Sequence, residues 1–136
     1  LNASSKSCTL AFWHHPRFTS GKYFKNVAEN NLGAEFWNTL AAHKADVILN
    51  GHDHLYERFA PQSATGVASS GGIRQFTVGT GGKILYQQKG KETNSEKIID
   101  DRFGVLELEL FAQAYKWRFI SVDGLVLDSG HQACAS

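Results

Sequence analysis

Asp46-Val-Ile-Leu-Asn-Gly-His-Asp-His-Leu-Tyr-Glu-Arg58 is the stretch on which the fold turns. It opens with a short apolar run, Val47 to Leu49, brief and β-branched enough to be a buried strand. Gly51 permits a sharp turn, and His52 and His54 follow two residues apart. In an extended or tightly turned segment that spacing need not bring both imidazoles to one ion; each can serve a different metal of a paired site. Neutral imidazole is a common metal ligand, and α/β proteins place their chemistry just beyond the carboxyl ends of buried strands. A solvated turn with two ordinary histidines has the same sequence, so the pair needs support from elsewhere in the chain.

That support lies upstream. Cys8-Thr-Leu-Ala-Phe-Trp13 is a second short apolar run, and it ends directly in His14-His15-Pro16-Arg17. Pro16 cannot continue a ladder and pushes His15 toward an extended conformation, so the chain leaves the sheet here. Between the two runs, Gly33 to Lys44 has helical periodicity, with Phe36, Trp37, Leu40 and Ala41 on one face. Glu35 near its start and His43 and Lys44 near its end suit the helix dipole. His43 is therefore a helix-end histidine and stays outside the candidate site. The order strand, helix, strand is a β-α-β unit, which joins parallel strands. Parallel strands end on the same edge of a sheet, so His14 and His15 are expected beside His52 and His54.

At 136 residues the chain is long enough for one domain, residues 1–136, with a real core. Hydrophobic residues make up 42% and aromatics 12%, a globular composition. The net charge of +1 gives no reason to expect nucleic acid or an acidic membrane surface as partner. No apolar run approaches membrane-spanning length, and no signal-peptide pattern is present. The sequence contains no methionine, so a processed or partial chain is expected. Cys8 and Cys134 lie near the two ends. If the first and last strands are neighbours, a disulfide between them would contribute roughly 4–5 kcal/mol by the loop-entropy account, and would place the chain outside the cell or in a periplasm. Two free thiols in a reducing compartment are the alternative. Asn2-Ala3-Ser4 fits a glycosylation sequon, a pattern too short to carry weight.

Thr19 to Asn31 is polar and loop-like, and its Lys22 and Lys25 either face solvent or an anionic substrate. Leu55 to Phe59 and Ile73 to Val78 are strand-like, separated by a loop rich in Ala, Ser and Gly. Gly79-Thr-Gly-Gly82 is a weak phosphate-loop signal and a stronger signal for a sharp turn. Lys83 to Arg102 is a long charged loop without clear periodicity. The clearest β signal comes last. Leu106, Leu108 and Leu110 alternate with Glu107 and Glu109, and Tyr115, Trp117 and Phe119 alternate with Lys116 and Arg118. A hairpin turning at Ala112-Gln113 pairs Leu110 with Tyr115, Leu108 with Trp117 and Leu106 with Phe119 on a core face. Ala-Gln is a poor primed-turn pair, which argues for a longer connection. A further short strand is expected over Ser121 to Leu127, around the Asp123-Gly124 turn, followed by a polar tail from Asp128.

With both histidine pairs in hand, the chain resembles the calcineurin-like metallophosphoesterases, especially their purple-acid-phosphatase-like branch. The matching residues are Trp13-His14-His15-Pro16-Arg17-Phe18 and Asn50-Gly51-His52-Asp53-His54-Leu55-Tyr56-Glu57-Arg58, with Gly79-Thr-Gly-Gly82 and the closing hairpin in order. The resemblance implies an α/β chain, a β-α-β unit followed by mainly antiparallel strands, forming the C-terminal half of an α/β/β/α sandwich. It implies two metal ions drawn from Fe, Zn and Mn, about 3.5–4 Å apart, which activate water against a phosphate ester. His14 and His52 would bind one metal and His54 the other. His15 would stand behind the ligands with Tyr56 and Arg58, or, with Arg17, among the catalytic groups. The family's Asp-x-His, Gly-Asp-x-x-(Asp/Tyr) and Gly-Asn-His motifs do not occur in this sequence. Where the family often has further histidines after the His-x-Pro element, this chain has Thr19-Ser-Gly-Lys-Tyr23. The bridging carboxylate and the usual acid would therefore come from outside it. Three arrangements follow: a portion complemented by an N-terminal half, a homo-oligomer that pools histidines, or an inert metal-binding or structural remnant.

Overall fold

A computed structural model describes residues 7–135; the Asn2-Ala3-Ser4 triplet lies outside the described residues. In chain order the elements are β1 (Leu10–Phe12), α1 (Val27–Asn31), α2 (Ala34–Ala42), β2 (Val47–Asn50), β3 (Tyr56–Phe59), β4 (Arg74–Val78), β5 (Ser95–Ile99), β6 (Gly104–Leu110), β7 (Ala114–Ser121) and β8 (Val126–Ala133). They form a five-stranded sheet ordered β1-β2-β4-β3-β5 and a three-stranded sheet ordered β6-β7-β8.

β1 and β2 are adjacent and parallel, with Leu10 opposite Val47 and Phe12 opposite Leu49. β2 is also parallel to β4, whereas β3 runs antiparallel between β4 and β5. Successive side chains of a strand point to opposite faces, and β2 uses both. Ile48 packs outward with Ala45, Ile73 and the fully buried Trp37 of α2, flanked by Trp13, Phe18, Leu40 and Ala41. Val47 packs inward with Tyr56, Phe76 and Ile99, against Tyr115, Trp117 and Phe119 of the second sheet. The layers are therefore helix, sheet, sheet. Of the four apolar positions assigned to one face of α2, Phe36 is the outlier: it is exposed, with its ring centroid 5.9 Å from that of Trp13.

The hairpin has the register that alternation demands, Leu106 with Phe119, Leu108 with Trp117 and Leu110 with Tyr115. It also places Glu107 opposite Arg118, and the two form an ion pair. The Phe111 amide donates to the Ala114 carbonyl at 2.8 Å, so Ala112-Gln113 is a two-residue turn and not a longer connection. Three elements depart from the sequence reading. Val27–Asn31 is helical within the expected loop, Ser95–Ile99 is a strand within the long charged segment, and the polar tail is strand β8. Each is short or lacks a buried face of its own; tertiary pairing supplies what local pattern does not.

Polar groups also join the sheets. The Asp128 carboxylate on β8 accepts from Tyr56 Oη (2.7 Å), Arg58 Nε (2.7 Å) and Trp117 Nε1 (3.3 Å). Glu96 pairs with both Arg58 and Arg74. Cys8 and Cys134 form a disulfide across a sequence separation of 126. On one side the sheets are not covered by any of the described residues. Between edge strands β1 and β6 lies an open trough of about 660 Å³, bordered by Phe12, Leu49, Val78, Val105 and Leu106. Phe12 is 79% exposed and Val105 61% exposed there. No helix among the described residues is long and apolar enough to cross a membrane.

Burial pushes the Asp128 carboxyl up, but the hydrogen bonds and charge of Arg58, with Tyr56 and Trp117, outweigh it and hold the group below its ordinary value. A depressed carboxylate contributes stability that is complete above the unfolded-state pKa and is lost as pH falls through the folded one. Asp128→Ala leaves Arg58 with Glu96 alone and is expected to cost about 3 kcal/mol in urea unfolding. That deficit should hold from neutral pH to about pH 5 and shrink below about pH 4. A deficit independent of pH would contradict it. Reduction of the disulfide should separately lower stability by roughly 4–5 kcal/mol, read as a fall in the urea midpoint.

Candidate metal centre

The site lies where β1 and β2 end. Asn50 at the end of β2 donates through Nδ2 to the carbonyls of Trp13 (2.9 Å) and His15 (3.3 Å), and the Gly51 amide donates to the His14 carbonyl (3.0 Å). These bonds zip the two loops together before any side chain is considered. His14, His15 and His52 then converge, one ring nitrogen of each lying within 4.8 Å of the others. His14 Nε2 is 3.2 Å from His52 Nδ1. His52 has φ +62°, a left-handed conformation that costs a non-glycine residue roughly 1–2 kcal/mol. Burial first, and then the neighbouring His15, lower the His52 pKa, while Glu29 acts in the opposite direction. The neutral ring, the form that ligates metals, is thereby favoured.

The other sequence-selected residues are placed differently. His54 stands apart from the triad, its ring stacked on Tyr86 with centroids 4.1 Å apart. Its Nδ1 is 2.8 Å from the Ile84 carbonyl. A carbonyl only accepts, so Nδ1 carries the proton and Nε2 keeps its lone pair, the tautomer usual for a ligating histidine. Arg17 is bonded through Nη1 to the Asn30 carbonyl (3.2 Å) and Asn31 Oδ1 (2.9 Å), which ties it to the end of α1. Tyr56 and Arg58 reach Asp128 on the opposite sheet, as described above. His43 caps α2, with Nδ1 2.8 Å from the Thr39 carbonyl.

Glu29, Tyr23 and Asp53 contribute to the site and escaped the sequence reading. Glu29 Oε2 lies 3.3 Å from His52 Nε2 and 3.5 Å from His15 Nε2. Its signal was present: Asn26-Val-Ala-Glu29 has capping-box spacing, and Asn26 Oδ1 does accept from the Glu29 amide. Tyr23 stacks on His52 at 4.3 Å, and Lys22 Nζ sits 4.4 Å above the Tyr86 ring. Asp53, between the two motif histidines, is fully buried and organises this wall. It accepts from Thr19 Oγ1 (2.6 Å) and from the amides of Lys22 (3.0 Å) and Tyr23 (3.3 Å). Gly79 fits behind it. A Cβ there would lie 2.0 Å from the Asp53 carbonyl oxygen, so close backbone approach accounts for this glycine. Glu57, on the opposite face of β3 from Tyr56, accepts from Ser20 and Ser95 and fixes the same loop from below.

No protein-family model matches the sequence, and no curated protein matches it significantly. Solved structures do match. Purple acid phosphatase PPD1 from yellow lupin (Lupinus luteus) seeds superposes with a TM-score of 0.72 at 22% identity, covering 93% of this chain and 25% of that one. GAP50, described as the anchor in the inner membrane complex of Plasmodium, superposes with a TM-score of 0.73 at 17% identity, covering 96% of this chain and 38% of that one. The chain has the fold of these proteins over nearly its whole length and spans well under half of theirs.

Asp53→Ala should free the Thr19–Tyr23 loop. Hydrogen bonds to a charged acceptor are worth about 1.5–3 kcal/mol, so amide exchange at Lys22 and Tyr23 should accelerate by roughly tenfold or more. Unchanged protection of those two amides would contradict this role.

Proposed function

We propose that this chain is the C-terminal, histidine-donating portion of a metal-dependent phosphoesterase, corresponding to about half of that domain. The observation that carries the reading is the 3.2 Å approach of His14 Nε2 to His52 Nδ1, delivered by the ends of two adjacent parallel strands. Two nitrogens bound at about 2.0–2.1 Å to one tetrahedral ion stand about 3.3 Å apart. The donor set therefore fits an ion of the Fe, Zn or Mn class. His14 and His52 would hold one ion, and His54, with its Nε2 lone pair free, would serve a second. Such ions polarise a phosphoryl group and lower the pKa of a bound water.

The chain's own residues do the rest. Tyr23 and Tyr86 fix the planes of His52 and His54 by stacking. Lys22, whose pKa is raised by the Tyr23 and Tyr86 hydroxyls, supplies positive charge for an anionic ester. His15, beside Glu29, is placed to hold a proton at Nε2. A homo-oligomer or a complementing N-terminal half would fill the trough between β1 and β6, in keeping with neighbours that extend far beyond the matched region. An extracellular or periplasmic setting, where disulfides persist, suits the Cys8–Cys134 pair.

A second reading, an inert metal-binding or structural remnant, is favoured by the donor set itself, since the converging group consists of three imidazoles. The likeness to an anchor protein points the same way. One sample separates the two. Ion content, oligomeric mass and hydrolysis of an aryl phosphate ester are measured together, with His14→Ala and His52→Ala alongside. Hydrolysis that both substitutions lower by at least about 100-fold supports the enzyme. Bound ion without turnover supports the remnant, and neither ion nor turnover overturns the metal site.

A further inference from the structure

His52 presents its two ring nitrogens to different partners. Nδ1 faces His14 Nε2 at 3.2 Å, and Nε2 faces the Glu29 carboxylate at 3.3 Å. His52 Nε2 is buried and has no hydrogen-bond partner among the described residues, so the carboxylate acts on it through charge and proximity. An ionised carboxylate accepts and never donates, so it stabilises the tautomer with the proton on Nε2. That leaves the Nδ1 lone pair directed at the neighbouring imidazole. In the ion-free chain, His14 Nε2–H can donate to this lone pair. An ion replaces that proton when His14 takes its other tautomer.

The same Glu29 oxygen lies 3.5 Å from His15 Nε2, and the His15 and His52 ring centroids are 4.1 Å apart. One carboxylate oxygen thus gathers two of the three imidazoles. Glu29 is itself held. It is the third residue of α1, its amide bonded to Asn26 Oδ1, and the far end of α1 is tied to Arg17, two residues after His15. Tyr23 closes the other side of the His52 ring, with centroids 4.3 Å apart and planes inclined by 26°. Position, tilt and tautomer of His52 are all constrained without any group from outside the chain.

We infer that Glu29 is the positioning carboxylate of a single-cation site made by His14, His15 and His52, and that this chain binds one zinc-class divalent ion without a partner. The inference rests on the metal reading of the site and departs from it in two ways. It gives His15 a ligand's place, and it assigns a role to a residue that lies outside both histidine motifs. Carboxylates that orient ligating histidines commonly govern affinity by about 10–100-fold.

The test is titration of the metal-free, disulfide-intact chain with zinc alone, followed by calorimetry and by long-range proton–nitrogen NMR of the imidazoles. One equivalent should bind, and the ion-free spectrum should show His52 protonated at Nε2. Glu29→Ala should weaken zinc binding by about 10–100-fold and mix the His52 tautomers. Glu29→Gln, which can still accept from Nε2 but carries no charge, should fall between. His43→Ala, a helix-end histidine outside the triad, should match the unaltered chain. A His52 protonated at Nδ1, or Glu29→Ala with unchanged zinc affinity and native amide spectra, would overturn the inference. Phosphoester hydrolysis is read separately. Glu29-dependent zinc binding without turnover leaves this site standing and removes the enzyme reading; turnover with no dependence of zinc affinity on Glu29 does the reverse.

Discussion

The parallel pairing of β1 with β2 is the constraint from which the rest follows. Two parallel neighbours necessarily end on one edge, so whatever follows Phe12 and Asn50 meets. Here each strand is followed within two residues by histidine. Asn50 then converts proximity into geometry, because its side-chain amide bonds two carbonyls of the facing loop and fixes where His14 and His15 leave the backbone. An antiparallel pairing of the same strands would put the two histidine groups at opposite ends of the sheet.

Around that edge the motif residues after His52 divide their work by strand alternation. Tyr56 and Arg58 face the second sheet and meet Asp128, while Glu57 faces the loop and meets Ser20 and Ser95. Desolvation alone would raise the Glu57 carboxyl, and it outweighs the hydrogen bonds that lower it. Burying such a group is tolerable only where its oxygens are satisfied. The run from Gly51 to Arg58 is thus one segment serving three ends: imidazoles at its start, a loop clamp in Asp53 and Glu57, and sheet-to-sheet anchoring in Tyr56 and Arg58.

Much of this was legible in the chain. Strict alternation over Leu106–Leu110 and Tyr115–Phe119 admits one register with both an apolar and a charge-paired face, and that register is the one formed. Short apolar runs flanking a helical pattern sufficed for the β-α-β unit. What escaped was written in non-local terms. β8 is polar because much of it is exposed, and Asp128 within it is partly buried and bonded by residues 70 positions and more away. Ser95–Ile99 is a strand because β3 offers it an edge. Asp53 carries no local mark of its role, since nothing near it in sequence says that Thr19, Lys22 and Tyr23 fold over it. Glu29 announced itself only as a helix cap; its approach to His15 and His52 is a product of tertiary placement.

The central claim is that imidazoles from the ends of two separate strands share an ion. X-ray absorption at the metal edge of the zinc-loaded chain addresses it most directly. The account predicts a first shell with nitrogen at about 2.0–2.1 Å and the outer-shell scattering pattern of at least two imidazoles, lost together in His14→Ala or His52→Ala. A shell of water and carboxylate oxygen with no imidazole scattering, or one unaffected by either substitution, would contradict it.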